Sequence, residues 1–268
     1  MLKKAALSVL LAAALVAGCD TAPPPELEPG VVVINGFLYA GEPVRDIRLT
    51  TTSPVDGTNL FGEPITEAPV VLFQNADSNY FFLTPQPGQP GMYHYAGGDL
   101  RVAVGDVFFL GLEYEGRQTV AVTYIPEEPQ DVVFSDTRVY VEEDSGEEDV
   151  VLTIEWDDPE EKLHWVSMRN IDPNPVPIRR EDIGTDPTRP IQSEPLAASF
   201  IEVTADQFTH YGTHEVKVYR ISANYFALYQ FAQRPVRRIY EPETGIENGV
   251  GIFAGLSDVR YTITVLPP

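Results

Sequence analysis

Downstream of residue 30 the chain is written in short segments whose apolar and polar side chains take turns, punctuated by Gly, Pro, Asn and Asp. In 46–51, Ile47 and Leu49 alternate against Asp46, Arg48 and Thr50, the period of a strand with one face on a core. The same pattern predicts strands over 31–38, 70–74, 80–84, 92–95, 107–114 and 118–124. The turn formers Asn75 to Asn79 join one pair of these, and Glu115-Gly116 folds another into a hairpin. Glu127-Glu128-Pro129-Gln130 is a joint, beyond which strands are expected over 132–134, 138–141, 150–156, 164–169, 199–204, 215–221, 251–255 and 260–265. Between them, 170–195 is a long proline-rich irregular stretch, a length usual for functional or covering loops. Residues 222–233 break the alternation, because Tyr225, Leu228, Tyr229 and Ala232 recur at helical spacing. Ser222 or Asn224 caps the start of that helix and Pro235 ends it. The pattern predicts an all-β chain of two Ig-like β-sandwich domains, 31–126 and 127–268, the second with one α-helix covering a sheet face.

The first residues follow a different rule. Lys3 and Lys4 precede an apolar run from Ala5 to Val16, and Leu15-Val16-Ala17-Gly18-Cys19 closes it with small residues. A basic start, a short apolar core and a small-residue cleavage site read as a secretory signal peptide over 1–18. The run is shorter than the roughly 20 residues that span a bilayer. Its end resembles the bacterial lipobox, which implies cleavage between Gly18 and Cys19 and lipid attachment at Cys19. Cys19 is the only cysteine of the 268 residues, so no disulfide forms within the chain. Residues 19–30 are then the lipidated cysteine and a tether, in which Pro23-Pro24-Pro25 favours extended polyproline II. Asp20, Glu26 and Glu28 follow the cysteine, as sorting residues do in some bacteria.

Composition narrows the partners. The formal charge is −22, and losing Lys3 and Lys4 with the signal deepens it to −24. Such a surface repels nucleic acid and anionic lipid and attracts cations or basic proteins. Hydrophobic residues make up 43%, which suffices for a packed core and excludes global disorder.

Two resemblances follow from particular residues. Ile34-Asn35-Gly36-Phe37, the stretch Glu67 to Phe73, and Gly91-Met92-Tyr93 leading to a hairpin resemble a transthyretin-like or carboxypeptidase-regulatory-like sandwich, common in bacterial envelope proteins. The stretch 208–222, an aromatic helix and then 240–258 resemble the domain of unknown function 4249 family of bacterial envelope lipoproteins. That family's closing pattern falls on Gly245 to Phe253, with Gly245 standing where asparagine is usual. The resemblance implies a cell-envelope lipoprotein and brings no catalytic residues with it.

The acidic run 142–149 has the carboxylates of a calcium site but lacks the alternating spacing that wraps them round one ion, and reads as a solvated hairpin tip. His210 and His214 stand four apart, with Gly212-Thr213 between them arguing against a helix that would aim both at a metal. His94 and His164 have no readable partners. Ser257 in Gly-Leu-Ser-Asp lacks the second glycine of a nucleophile elbow. Gly245, Gly249, Gly251 and Gly255 read as turn or bulge positions before they read as a binding loop. Tyr93, Tyr95, Phe108, Phe109, Tyr225, Phe226 and Tyr229 fall at core spacings, and an exposed cluster among the aromatics would mark a binding surface.

The expectation is a lipid-anchored lipoprotein of the cell envelope, in the outer membrane, without cofactor or metal. Its role would be non-enzymatic, as an accessory or binding protein for an outer-membrane importer or another envelope protein. The alternative is direct glycan or peptide binding through the 170–195 loop and exposed aromatics; a hydrolytic enzyme is the least favoured reading.

Overall fold

The computed structural model describes residues 30–53, 62–75, 79–159, 162–225 and 245–268. Gly18, Cys19 and the tether before Gly30 lie outside the described residues, as does the helix expected over 222–233 beyond Tyr225.

Seven strands build the first half: β1 (Val32–Tyr39), β2 (Asp46–Thr51), β3 (Val70–Gln74), β4 (Asn79–Pro85), β5 (Met92–His94), β6 (Val107–Tyr114) and β7 (Arg117–Tyr124). Their inward residues, among them Ile34, Leu38, Ile47, Leu72, Phe108 and Leu110, form one buried cluster. The β6–β7 hairpin closes as read from Glu115-Gly116. Both residues have positive φ, and Tyr114 pairs with Arg117 across a two-residue turn whose twist matches the strands.

The second half adds β8 (Gln130–Phe134), β9 (Arg138–Tyr140), β10 (Val150–Asp157), β11 (His164–Asn170), the short β12 (Val176–Pro177) and β13 (Ile191–Gln192), β14 (Phe200–Thr204) and β15 (His210–Ile221). The three-stranded sheet β14-β10-β8 covers a core containing Leu152, Ile154, Phe208, Val216 and Val218. After β16 (Ile246–Glu247), the chain ends in β17, Gly249–Leu266.

β17 organises the molecule. The pattern predicts two strands, 251–255 and 260–265; the structure has one of 18 residues, about 60 Å long at strand rise. Its first part runs parallel to β1, from Val32 opposite Gly249 to Tyr39 opposite Leu256. Its second part runs antiparallel to β15, from Ile221 opposite Leu256 to Gly212 opposite Val265. Phe253 thus belongs to the first core, and Ile263 and Val265 to the second. At the crossing, residues 252–257 are all buried, because packing covers both faces and alternation disappears. The polar Ser257-Asp258, which reads as a break, stays in the strand with its side chains bonded: Ser257 Oγ donates to Glu127 O at 2.8 Å, and Arg260 Nε donates to Asp258 Oδ2 at 2.7 Å. The protein is all-β, two Ig-like sandwiches joined by one hydrogen-bonded path of strands that runs from β13 through β15, β17 and β1 to β7 and β16.

Candidate functional site

A half-buried sheet normally turns polar residues to water. The outer face of β4-β3-β6-β7 does so only at its margins, where Glu113 pairs with Gln118 and Glu247 of β16 stands opposite Val120. Strand register lines up Tyr80, Phe73, Phe109 and Val122 in one cross-strand row, and Phe82, Val71, Gly111 and Val120 in the next. Tyr80 and Phe82 are 58% and 60% exposed, with Phe73 and Val120 also open to solvent. The Tyr80 and Phe82 rings sit edge to face, 5.6 Å apart at 81°. The Phe73 ring extends toward Gly111, which has no side chain to hold it off. None of these eight residues is charged, although the chain carries −22. Of the aromatics weighed from sequence, only Phe109 falls here; Tyr93 and Phe108 are fully buried, and Tyr95 packs edge to face on Phe81 inside the sandwich. Phe226 and Tyr229 lie outside the described residues. The missed signal was in the chain: 80–83 and 107–112 are apolar at both parities, which leaves an apolar outer face whenever the inner one is filled.

The far end of the second sandwich gathers the two features the sequence singled out separately. Val141 N donates to Leu266 O, so the acidic run 142–149 begins where β17 ends. Val176 and Pro177 pair with Tyr211 and His210, which brings the proline-rich stretch to the same pole. Arg179 ties them. Its guanidinium donates to Ser145 O in the acidic run at 3.0 Å, to Phe208 O at 2.9 Å and to Ala205 O at 3.2 Å, and it stands 3.8 Å from the Asp182 carboxylate. The carboxylates of 142–149 are all exposed, as expected of a solvated tip.

His210 and His214 lie buried on β15, with His214 edge to face against Phe208 and its Nδ1 3.1 Å from Gly212 O. His164 is buried beside Trp156, 3.6 Å from an Asp158 carboxylate oxygen. Burial pushes the pKa values of both His164 and His214 down. Among the described residues no group of three or more His, Cys, Asp or Glu stands close enough to hold a metal. Ser257 is fully buried in mid-strand and presents no hydroxyl to solvent. Gly251 and Gly255 serve packing: a Cβ at either would meet a carbonyl oxygen, of Ile34 or Tyr124, at 2.0 and 2.2 Å. A small open pocket of about 110 Å³ lies between residues 41–44 and 95–102, below the roughly 300 Å³ at which small-molecule sites begin.

The two sandwiches meet in a pinned joint. Tyr39 of the first and Tyr219 of the second are 6.1 Å apart, and Trp165 stacks on Tyr219 at 5.4 Å. Glu42 accepts from Arg260 at 2.5 Å and from Lys217 at 3.4 Å. Burial, with Asp46 and Glu42 adding, pushes the Tyr39 hydroxyl up to about 12.

These features define an all-β protein of two interlocked sandwiches that presents an apolar, aromatic patch on one sheet face, with glutamates at its margin. The chain belongs to the family described as Domain of unknown function (DUF4249), whose model matches residues 20–262. No curated protein matches it. Among solved structures it is similar to the FN1–FN3 domains of chicken CNTN1, at 11% identity and a TM-score of 0.25, covering 74% of this chain. The chain spans 62% of the length of that one.

Proposed function

We propose that this protein is a lipid-anchored lipoprotein of the cell envelope, cleaved between Gly18 and Cys19, acylated at Cys19 and held in the outer membrane. It acts without catalysis, as an accessory or binding protein for an outer-membrane partner such as an importer. The observation that carries the reading is the uncharged, solvent-facing rows of Tyr80, Phe73 and Phe109 and of Phe82, Val71 and Val120 on a chain of charge −22. A contiguous exposed apolar patch is the mark of an interaction surface. An open sheet face favours a protein over a small ligand, which needs concavity. The alternative, glycan capture, draws less support, since at 81° to each other Tyr80 and Phe82 offer no single platform that one sugar face could cover. Gly30, where the tether ends, lies beside Thr52, its N–H donating to Thr52 O. The 11-residue stretch from Asp20 to Gly30 reaches about 35 Å at most, which keeps the start of the first sandwich near the bilayer.

The test is mild crosslinking in intact envelopes from a photoreactive residue placed at Phe73, beside a Cys19→Ala control. One stoichiometric outer-membrane protein, crosslinked by the acylated chain and lost from the control, is the expected result. A chain that fractionates with membrane yet crosslinks to nothing would remove this reading and send the soluble chain to glycan and peptide arrays.

A further inference from the structure

We infer that the partner contributes an extended segment which pairs as an added strand on the open edge of β4. The inference rests on the reading of the aromatic face given above and specifies how that face is used. β4 pairs with β3 over Asn79 to Leu83, but with β5 only at Thr84 and Pro85. β5 ends at His94, and beyond it Tyr95 N donates to Val44 O on the β2 side at 2.9 Å. Among the described residues, Asn79 to Leu83 therefore has no second neighbouring strand. Backbone groups of a strand point alternately to its two edges. Gln86 N donates to Met92 O on the β5 side, so the even positions Tyr80 and Phe82 present their N–H and C=O to the open edge, while 79, 81 and 83 face β3. The two residues whose edge amides meet no strand among the described residues are also the two most exposed aromatics of the outer face.

Backbone and side chains thus coincide. A strand laid against β4 bonds to Tyr80 and Phe82 through its main chain and sets its alternate side chains beside their rings, at about 4.5–5.5 Å between Cβ atoms. Natural edges are guarded by Lys, Pro, charge or a bulge. Asn79-Tyr-Phe-Phe-Leu-Thr84 has none of these, and its first proline is Pro85 at the strand's end. Two copies of a −22 chain repel each other; the fitting occupant is a segment of a different protein, alternating apolar residues with neutral ones and flanked by Lys or Arg. A lipid or a glycan offers no ladder of amides for this edge.

Hydrogen exchange on the full acylated chain in detergent tests the inference, with acetyl-Arg-Val-Thr-Val-Thr-Val-Arg-amide as the probe. A second peptide of the same sequence is N-methylated at the amides that would face β4. Slowed exchange at the Tyr80 and Phe82 amides, with the methylated peptide bound about tenfold more weakly, is expected; Phe82→Lys, with an unchanged unfolding midpoint, should weaken the first peptide similarly. Equal binding of both peptides overturns strand addition in favour of side-chain contact alone. Protection that rises with protein concentration without peptide, or that only vesicles of neutral phospholipid produce, overturns it in favour of a second copy or a lipid surface. A crosslinked outer-membrane partner at Phe73 alongside unprotected edge amides overturns this inference and leaves the accessory role standing, whereas loss of both removes the two together.

Discussion

Arg179 holds the far pole of the second sandwich through one guanidinium bonded to three backbone carbonyls, two of them around the short turn 205–208 and the third in the acidic run. Removing it takes the side-chain donor from Ser145 O and Phe208 O in a half-buried setting, while Ala205 O keeps the Phe208 N–H. Arg179→Met is expected to lower stability by roughly 2–3 kcal/mol and to speed hydrogen exchange over 142–149 and 172–186 while leaving β1–β3 unchanged; uniform exchange would refute the local role. The buried histidines make a second prediction. In the unfolded chain an imidazole titrates near 6.5, but burial holds His164 and His214 below that value in the folded protein. Their contribution is fully present above pH 6.5. As pH falls below it, the unfolded state takes up protons that the folded one refuses, so stability is lost until the folded values are reached, by at most about 1.4 kcal/mol per pH unit for each group. The unfolding midpoint should therefore drop between about pH 7 and pH 5, and His164→Gln with His214→Gln should flatten that slope; an unchanged slope would assign the acid sensitivity elsewhere. The sequence singled out 142–149 and 170–195 but could not join them, because carbonyl acceptors such as Ser145 O leave no trace in residue identity.

At the level of elements, alternation located most strands to within a residue or two, since each of these carries one face on a core: 46–51, 70–74 and 107–114 agree with β2, β3 and β6. It failed where that condition fails. β17 is covered on both faces over 252–257, so period two vanishes and one strand reads as two. β15 begins at His210, five residues before the expected 215, because Gly212 at φ +122° looks like an interruption yet stays paired with Val265. The crossing of β17 depends on close backbone approach. Gly251 sits at φ +112° with its missing Cβ 2.0 Å from Ile34 O, and the missing Cβ of Gly255 falls 2.2 Å from Tyr124 O. Gly251→Ala and Gly255→Ala are each expected to destabilise by roughly 2–4 kcal/mol, through forced strand separation and, for Gly251, a disfavoured φ. Gly98→Ala meets no atom within 4 Å, and should stay within about 0.5 kcal/mol of wild type. Denaturant midpoints of the three variants decide the matter, and equal midpoints would mean that β1 and β7 yield easily.

On the scale of the whole molecule, β17 makes the two sandwiches thermodynamic dependants of each other. A division after residue 126 follows from the sequence, where Glu127 to Gln130 reads as a joint, but the first core also contains Phe253, and β1 takes its outer neighbour from residues 249–256. Nothing in local pattern reveals that the last strand returns to pair with the first, since parallel pairing across more than 200 residues is a long-range choice. The joint adds further coupling: Leu163, Tyr219, Ile221 and Leu256 are buried together, with Phe37 and Tyr39 of the first sandwich packed on them, and Glu42 accepts from both Lys217 and Arg260. A fragment of residues 31–126 would expose the β1 edge and lack the Phe253 ring, whose removal from a core costs about 3–5 kcal/mol, a large share of what a small domain has. It is expected to be unfolded or molten, with poor amide dispersion, and to gain a folded spectrum when a peptide of residues 245–268 is added in trans. The full chain should unfold in one transition seen alike by far-ultraviolet circular dichroism and, in a Trp156→Phe variant, by the fluorescence of Trp165, which stands at the joint. A 31–126 fragment that folds alone, or two separated transitions in the full chain, would show that β17 merely links two independent units. A single transition means instead that anything binding the native first sandwich raises the unfolding midpoint of both.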